Sequence, residues 1–308
     1  MTRKIGIIGD GHVGATVANY IVVNGLVDDL VMIDKNEAKV NADAIDFREG
    51  MPNLPFHTNI TVNDYDALKD ADIVISALGK IKLSNNDSDN RFAELSFNID
   101  QVKEVAPKIR DSGFNGILIA ITNPVDVITQ LYQQITGLPK KHVIGTGTLL
   151  DSARMKQAVG EKLGIDSRSV TGYNLGEHGN SQFTAWSTVR ALDQPITELA
   201  KSRNLDLDAL DQAARYGGFT VMQGKGYTSY GIASAAVRLA KTVLSDARTV
   251  LPVSNYRSDY GVYFSYPVVV GRDGIIEDVP LDLTDEEKDK LQASADFIKK
   301  NIEKYGEK

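Results

Sequence analysis

The 308-residue chain contains no cysteine. That excludes disulfides, thiolate nucleophiles and Cys-ligated zinc or iron–sulfur sites, and it fits a reducing compartment. No apolar run approaches the roughly 18 residues needed to span a bilayer. Two basic residues stand near the start, but the short apolar run behind them breaks at Asp10, so no secretory signal is expected and the cytoplasm is the expected location. Basic side chains are the minority, 34 Lys and Arg against 41 Asp and Glu, for a formal net charge of -7. Without a basic arm or stripe, neither nucleic acid nor a membrane surface is an expected partner. There is no linker rich in Pro, Gly or Ser, no internal repeat and no low-complexity tract. Histidine is scarce, at four residues, which leaves few candidates for acid–base work near neutral pH. The remaining composition, 42% hydrophobic and 24% charged, is that of an ordinary globular protein.

What is present concentrates near the start. Gly9-Asp10-Gly11-His12-Val13-Gly14 follows the apolar run Ile5-Gly6-Ile7-Ile8 and opens a helical pattern over Val13–Val23. In that context the three glycines match the dinucleotide fingerprint: a tight turn, a close backbone approach to a pyrophosphate, and close packing of helix on strand. The helix N-terminus offers unpaired N–H groups to phosphates. Asp34 comes twenty positions after Gly14 and closes the apolar run Leu30-Val31-Met32-Ile33. A carboxylate there accepts from the ribose hydroxyls and repels a 2′-phosphate, so NAD is expected over NADP, with Lys35 next in the chain to soften that preference. The alternative is a glycine-rich turn beside an ordinary surface Asp.

The first half alternates short apolar runs with helical patterns. Strands are expected at Lys4–Gly9, Leu30–Asp34, Asn59–Asn63, Ile73–Gly79, Gly116–Thr122 and Val143–Gly147. This is the rhythm of a Rossmann-type, doubly wound parallel sheet of six strands. After Gly147 the pattern becomes α+β: helices over Leu149–Leu163, Leu207–Met222 and Ser229–Ala247, polar-alternating stretches at Ser169–Leu175 and Thr184–Arg190, and a β-rich region at Val253–Glu277. A last helix starts at Thr284, which with Glu287 forms a capping-box pattern. The expected domains are 1–147 for dinucleotide binding and 148–308 for substrate, tightly packed.

Hydride chemistry with NAD needs a proton donor, a carbonyl polariser and a substrate anchor. His12, His57 and His142 read as structural or solvent-facing. His178 lies in Gly176-Glu177-His178-Gly179, a polar turn whose flanking glycines permit backbone to crowd a ligand. Asp151 and Arg154 are three apart on one helix face. An Asp can fix an imidazole tautomer, and an Arg fork can grip a carboxylate. The same spacing also fits a surface ion pair of little value. Asn123-Pro124-Val125-Asp126 ends the fifth strand, at the edge where such sheets bind ligands. Asn123 could equally cap the next helix, with Pro124 in its first turn. No metal cluster is evident.

Together these motifs resemble the lactate/malate dehydrogenase family over essentially the whole chain. Within it, Lys225-Gly226-Tyr227-Thr228-Ser229-Tyr230 and a long loop before Arg91 are most similar to the L-2-hydroxyisocaproate dehydrogenases of lactic acid bacteria. The resemblance implies reversible, NAD-dependent reduction of 2-oxo acids to L-2-hydroxy acids, with branched or bulky aliphatic chains favoured and pyruvate as the alternative. It implies that His178 exchanges the proton, paired with Asp151, while Arg154 binds the substrate carboxylate. Arg91 would polarise the carbonyl from a mobile lid. Asn123 would contact substrate and cofactor, Thr228 would line the side-chain pocket, Ile232 would pack on the nicotinamide, and Gly79 would let backbone pass the cofactor. A homotetramer is also implied, and the run Ala233-Ser234-Ala235-Ala236 would permit close helix contacts.

Departures sharpen the expectation. The loop from Lys80 to Asn90 is longer than usual, and no arginine precedes Arg91 in it, which counts against oxaloacetate. Lys80 and Lys82 could still meet a second carboxylate. Thr171 and Lys156 stand where activated bacterial enzymes carry an effector-binding histidine and arginine, so no sugar-bisphosphate activation is expected. Tyr230 replaces a frequent tryptophan, and with Gly231 beside it a larger pocket is expected. An NAD-dependent glycosidase would also combine a dinucleotide fold with oxidation chemistry, but the lack of cysteine and of an evident metal cluster weighs against it. A non-enzymatic NAD sensor would explain the glycines and Asp34 but gives no reason for Arg91, Asp151, Arg154 and His178 together.

Overall fold

A parallel sheet forms where the apolar runs stand. The structure, a computed structural model, describes residues 2–80 and 94–306. Arg91 and Lys82 lie outside the described residues. The chain runs β1 (Lys4–Ile8), α1 (His12–Val23), β2 (Asp29–Ile33), α2 (Glu37–Gly50), β3 (Asn59–Val62), β4 (Ile73–Ser76), α3 (Leu95–Asp111), β5 (Ile117–Ala120), α4 (Val125–Thr136) and β6 (Val143–Gly145). These strands lie parallel in the order β3-β2-β1-β4-β5-β6. The order reverses between β1 and β4, so the carboxyl ends of those strands open a crevice suited to a ligand.

The second half adds α5 (Leu149–Leu163) and four two-residue strands, β7 (Asn174–Leu175), β8 (Phe183–Thr184), β9 (Arg190–Ala191) and β10 (Gln194–Pro195). Then come α6 (Ile196–Arg203), α7 (Leu207–Lys225), α8 (Tyr230–Leu244), β11 (Thr249–Arg257), β12 (Val262–Gly271), β13 (Gly274–Asp278) and α9 (Asp285–Gly306). The stretches expected to alternate at 169–175 and 184–190 form only short strands: a 3-10 segment at Ser167–Ser169 runs into the first, and one at Trp186–Thr188 breaks the second. The β-rich region is not a separate sheet. β11 pairs antiparallel with β6, Ser254 opposite Gly145, and β12 and β13 follow, giving one nine-stranded mixed sheet.

Residue alternation explains why the apolar runs become buried strands. Ile5 and Ile7 of β1, with Ile73 and Ile75 of β4, face a core built with α1 and α8. Ile8 and Val74 face the other core, built with α3, α4 and α9. Ala233, Ala236 and Ala240 bring α8 close to this sheet and to α1, all of them buried. The small-residue run considered for subunit contact is therefore spent inside the chain, with Ser234 alone exposed. A third apolar cluster joins Met155 and Val159 of α5 to α6 and α7. The capping box forms as expected: the Thr284 N–H donates to Glu287 Oε2 at 2.9 Å, and the Glu287 N–H to Thr284 Oγ1 at 3.2 Å. No helix among the described residues is long and apolar enough to cross a membrane.

Candidate active site

The dinucleotide turn has the shape its glycines require. Gly9 adopts φ +96°, and a β-carbon there would lie 2.8 Å from the Ala77 carbonyl oxygen. At Gly14 a β-carbon would collide with the Gly9 carbonyl, whereas Gly11 has open space around it. The first intrahelical bond of α1 runs from the Ala15 N–H to the Gly11 carbonyl at 2.9 Å. The preceding first-turn N–H groups are thus available to an anion. Asp34 directly follows β2, and its carboxylate accepts the Asp10 N–H at 2.6 Å and the Asn36 N–H at 2.7 Å. Its remaining lone pairs suit ribose hydroxyls. Lys35 is drawn aside, bonded to Gln101 at 2.7 Å. Val13, Ala77, Leu150 and Ile232 are half-buried apolar side chains packed against the core that holds β1 and β4. Open space at Gly11 and a prepared carboxylate fit NAD.

Further side-chain contacts tie the segments after β4 and β5 to the start of α3. Glu94 Oε2 accepts the Lys80 N–H at 3.0 Å and lies 3.3 Å from where a β-carbon of Gly79 would stand. Asn98 donates to the Asn123 carbonyl at 2.7 Å. Asn123 does not cap α4: Pro124 occupies the N-cap position, with no side-chain cap bond, and the Asn123–Pro124 peptide is cis. The structure thus puts the proline one position earlier than the capping pattern anticipates. Thr228 lies half-buried in the connection between α7 and α8.

The catalytic candidates converge across 27 residues of sequence. His178 Nδ1 stands 2.6 Å from Asp151 Oδ2, and Arg154 Nη1 donates to Asp151 Oδ1 at 2.9 Å. One buried carboxylate therefore serves both the imidazole and the guanidinium, whose side chains are 13% and 20% exposed. This is no solvated surface pair. Gly217 and Gly218 of α7 flank Arg154; a β-carbon at Gly218 would lie 3.0 Å from Arg154 Nη2.

The main chain of His178 is pinned as firmly as its ring. Its N–H donates to Asp126 Oδ2 at 2.8 Å. Gly176, at φ +89°, exchanges backbone bonds with Ser265 of β12 at 3.0 and 2.9 Å. The Glu177 N–H donates to Ser294 Oγ of α9 at 2.7 Å. The flanking glycines serve this packing: a β-carbon at Gly179 would collide with the Glu177 carboxylate, and one at Gly176 would meet Ser294. Burial pushes the Asp126 carboxyl up to about 7, with Glu177 adding to the push, while the Ser254 hydroxyl and the His178 N–H pull it down. Sequence reasoning named Asp126 only as part of its motif. It missed Glu94, Asn98, Ser265 and Ser294 altogether, because their partners lie far away in the chain.

The remaining residues singled out by the sequence are placed as follows. Tyr230 is exposed with the Lys225 ammonium 3.6 Å from its ring centre, and Gly231 faces Leu150. Lys80 stands 5.5 Å from the centre of the Phe97 ring.

A dinucleotide crevice beside an imidazole, a shared carboxylate and a guanidinium defines an NAD-dependent oxidoreductase acting on the CH–OH group of 2-hydroxy acids. Residues 3–145 match the family model for the lactate/malate dehydrogenase NAD-binding domain, and residues 148–308 match that for the lactate/malate dehydrogenase alpha/beta C-terminal domain. L-lactate dehydrogenase 1 of Bifidobacterium longum subsp. longum is 38% identical over 98% of this chain and 97% of its own. The L-lactate dehydrogenase of Staphylococcus saprophyticus is 35% identical over 97% and 95%. The crystal structure of the minor L-lactate dehydrogenase of Enterococcus mundtii in its ligands-bound form superposes with a TM-score of 0.92 at 32% identity, covering 98% of both chains. The chain belongs to the lactate/malate dehydrogenase family. The narrower likeness to L-2-hydroxyisocaproate dehydrogenases gains no support from these relatives, whose names point to lactate.

Proposed function

We propose that the chain is a cytoplasmic L-lactate dehydrogenase, reducing pyruvate to L-lactate reversibly, with residues 1–147 holding the cofactor and 148–308 supplying the substrate groups. The observation that carries this reading is the Asp151 carboxylate held between His178 and Arg154. Asp151 accepts from Nδ1 of His178, so Nε2 is the nitrogen left to work on substrate, and the carboxylate stabilises the imidazolium. Arg154 keeps its remaining N–H groups for the substrate carboxylate. NADH, when bound, supplies the hydride that C2 of the 2-oxo acid receives. The proton from His178 Nε2 goes to the carbonyl oxygen, and the neutral imidazole recovers a proton from solvent. Arg91 stabilises the negative charge growing on that oxygen, a role that rests on the sequence resemblance alone. Gly9, Gly11, Gly14, Asp34, Gly79 and Asn123 are assigned to the cofactor, Ile232 to its nicotinamide, and Asn123 and Thr228 to substrate.

A second reading, with branched 2-oxo acids preferred, draws on Gly217-Gly218, which leave the space beside the Arg154 guanidinium without side chains. Steady-state kcat/KM for pyruvate, oxaloacetate, 4-methyl-2-oxopentanoate and phenylpyruvate separates the two. Pyruvate is expected to rank first and oxaloacetate last. A ranking led by 4-methyl-2-oxopentanoate would transfer the assignment to the second reading. The protein is expected to assemble as a homotetramer, since α7 leaves Tyr216, Phe219 and Val221 exposed. Light scattering on the eluting protein checks the mass, and a monomer at micromolar concentration would refute it.

A further inference from the structure

The cofactor turn of this chain contains a buried acid. Asp10 stands between Gly9 and Gly11 and is 1% exposed. Its Oδ2 takes the Lys39 ammonium of α2 at 3.0 Å, and Lys39 reaches on to Asp43 at 2.5 Å. Its Oδ1 is buried with no hydrogen-bond partner among the described residues. Its own N–H is committed to Asp34 at 2.6 Å. The groups around it are thus Asp34 directly after β2, Lys39 and Asp43 on α2, and His12 on α1, whose ring stacks on Tyr227 at 3.6 Å. Three carboxyls and one ammonium crowd the place where a pyrophosphate docks. Phosphates bind at a helix N-terminus because N–H groups and the helix dipole favour negative charge there. An ionised carboxylate buried in the same turn opposes them.

We propose that Asp10 sets cofactor affinity: the turn holds NAD(H) tightly with the Asp10 carboxyl neutral, so cofactor binding takes up a proton there. An orphaned buried oxygen is what a protonated carboxyl tolerates and a carboxylate does not. Burial pushes the Asp10 group up to about 7, with the Lys39 ammonium pulling it partly back. The group therefore titrates where cells live. This inference concerns the cofactor turn and is independent of which 2-oxo acid is preferred.

The sign follows from linkage. A bound pyrophosphate raises the proton affinity of Asp10 further, so affinity is highest below the free-enzyme transition and falls as pH rises through it. Titration of the whole protein with NADH, read by fluorescence from pH 6 to 8.5, is expected to show the dissociation constant rising roughly tenfold. Asp10→Asn, or Asp10→Ser should the amide misfold the turn, is expected to bind at the low-pH affinity throughout. Calorimetry in buffers of different ionisation heat is expected to register proton uptake in the wild type at pH 7.5 and none in the variant. Without cofactor, the native state keeps a proton on Asp10 that the unfolded chain has lost, so the melting temperature of the wild type relative to D10N should fall as pH rises from about 4 through 7. Lys39→Met removes the cation that favours the charged form and is expected to move the transition to higher pH. A wild-type affinity that stays flat with pH overturns the proposal. So does a slope that survives in D10N, since it would belong to another group.

Discussion

Replacing His178 with asparagine is expected to lower kcat by roughly 10²–10⁴-fold while leaving the NADH dissociation constant within about twofold of wild type. The expectation follows from where the imidazole is held. Its Nδ1 is fixed on Asp151 at 2.6 Å and its main chain on Asp126 at 2.8 Å, so one nitrogen is left for the substrate oxygen. Asparagine can keep a polar contact to Asp151, but it cannot carry a proton at neutral pH. Nothing in the dinucleotide turn depends on this side chain, so cofactor binding should survive. Stopped-flow reduction and NADH fluorescence measured on one preparation test both halves. Turnover within tenfold of wild type would remove His178 from the chemistry, whatever else the site does.

The second large effect is expected at Arg154. Two parallel charge-assisted hydrogen bonds to a carboxylate, each contributing about 1.5–3 kcal/mol, correspond to roughly 10²–10⁴-fold in kcat/KM. Arg154→Leu should show that loss for every 2-oxo acid, mostly as a raised KM. The same change takes one partner from Asp151 Oδ1, so some kcat should fall as well. Arg154→Lys separates the contributions: the charge remains and the fork is lost, so its defect should be intermediate. If R154L reduced pyruvate with an unchanged KM, the guanidinium would be a structural partner of Asp151 and the carboxylate would be held elsewhere.

The two halves of the site differ in how they can be read from sequence. Gly9, Gly11, Gly14 and Asp34 were legible as candidates because all four lie within one strand–turn–helix–strand unit. The β-carbon collisions at Gly9 and Gly14 and the openness at Gly11 match the three roles assigned to those glycines. Asp151 and Arg154 were legible as a helix-face pair, yet spacing could not tell a surface ion pair from a shared buried carboxylate. The turn glycines around His178 were read only as room for a ligand; they also make room for Glu177 and Ser294, which spacing could not show. The alanines of α8 were read as a possible subunit contact, because a small-residue stripe looks the same whichever helix it meets.

Sequence alone determined the doubly wound parallel sheet, the shape of the dinucleotide turn, NAD as the cofactor and the short set of candidates for moving a proton or gripping a carboxylate. These follow from backbone periodicity, glycine sterics and side-chain chemistry, all of which act over a few neighbouring residues. Tertiary structure decided the rest. It joined β11, β12 and β13 to the same sheet, brought α4, α5, α9 and β12 around His178, and closed Asp10 and Asp126 away from water. The physical reason is that burial belongs to no residue: the price of a charge depends on what packs over it, and that is set only when distant segments meet.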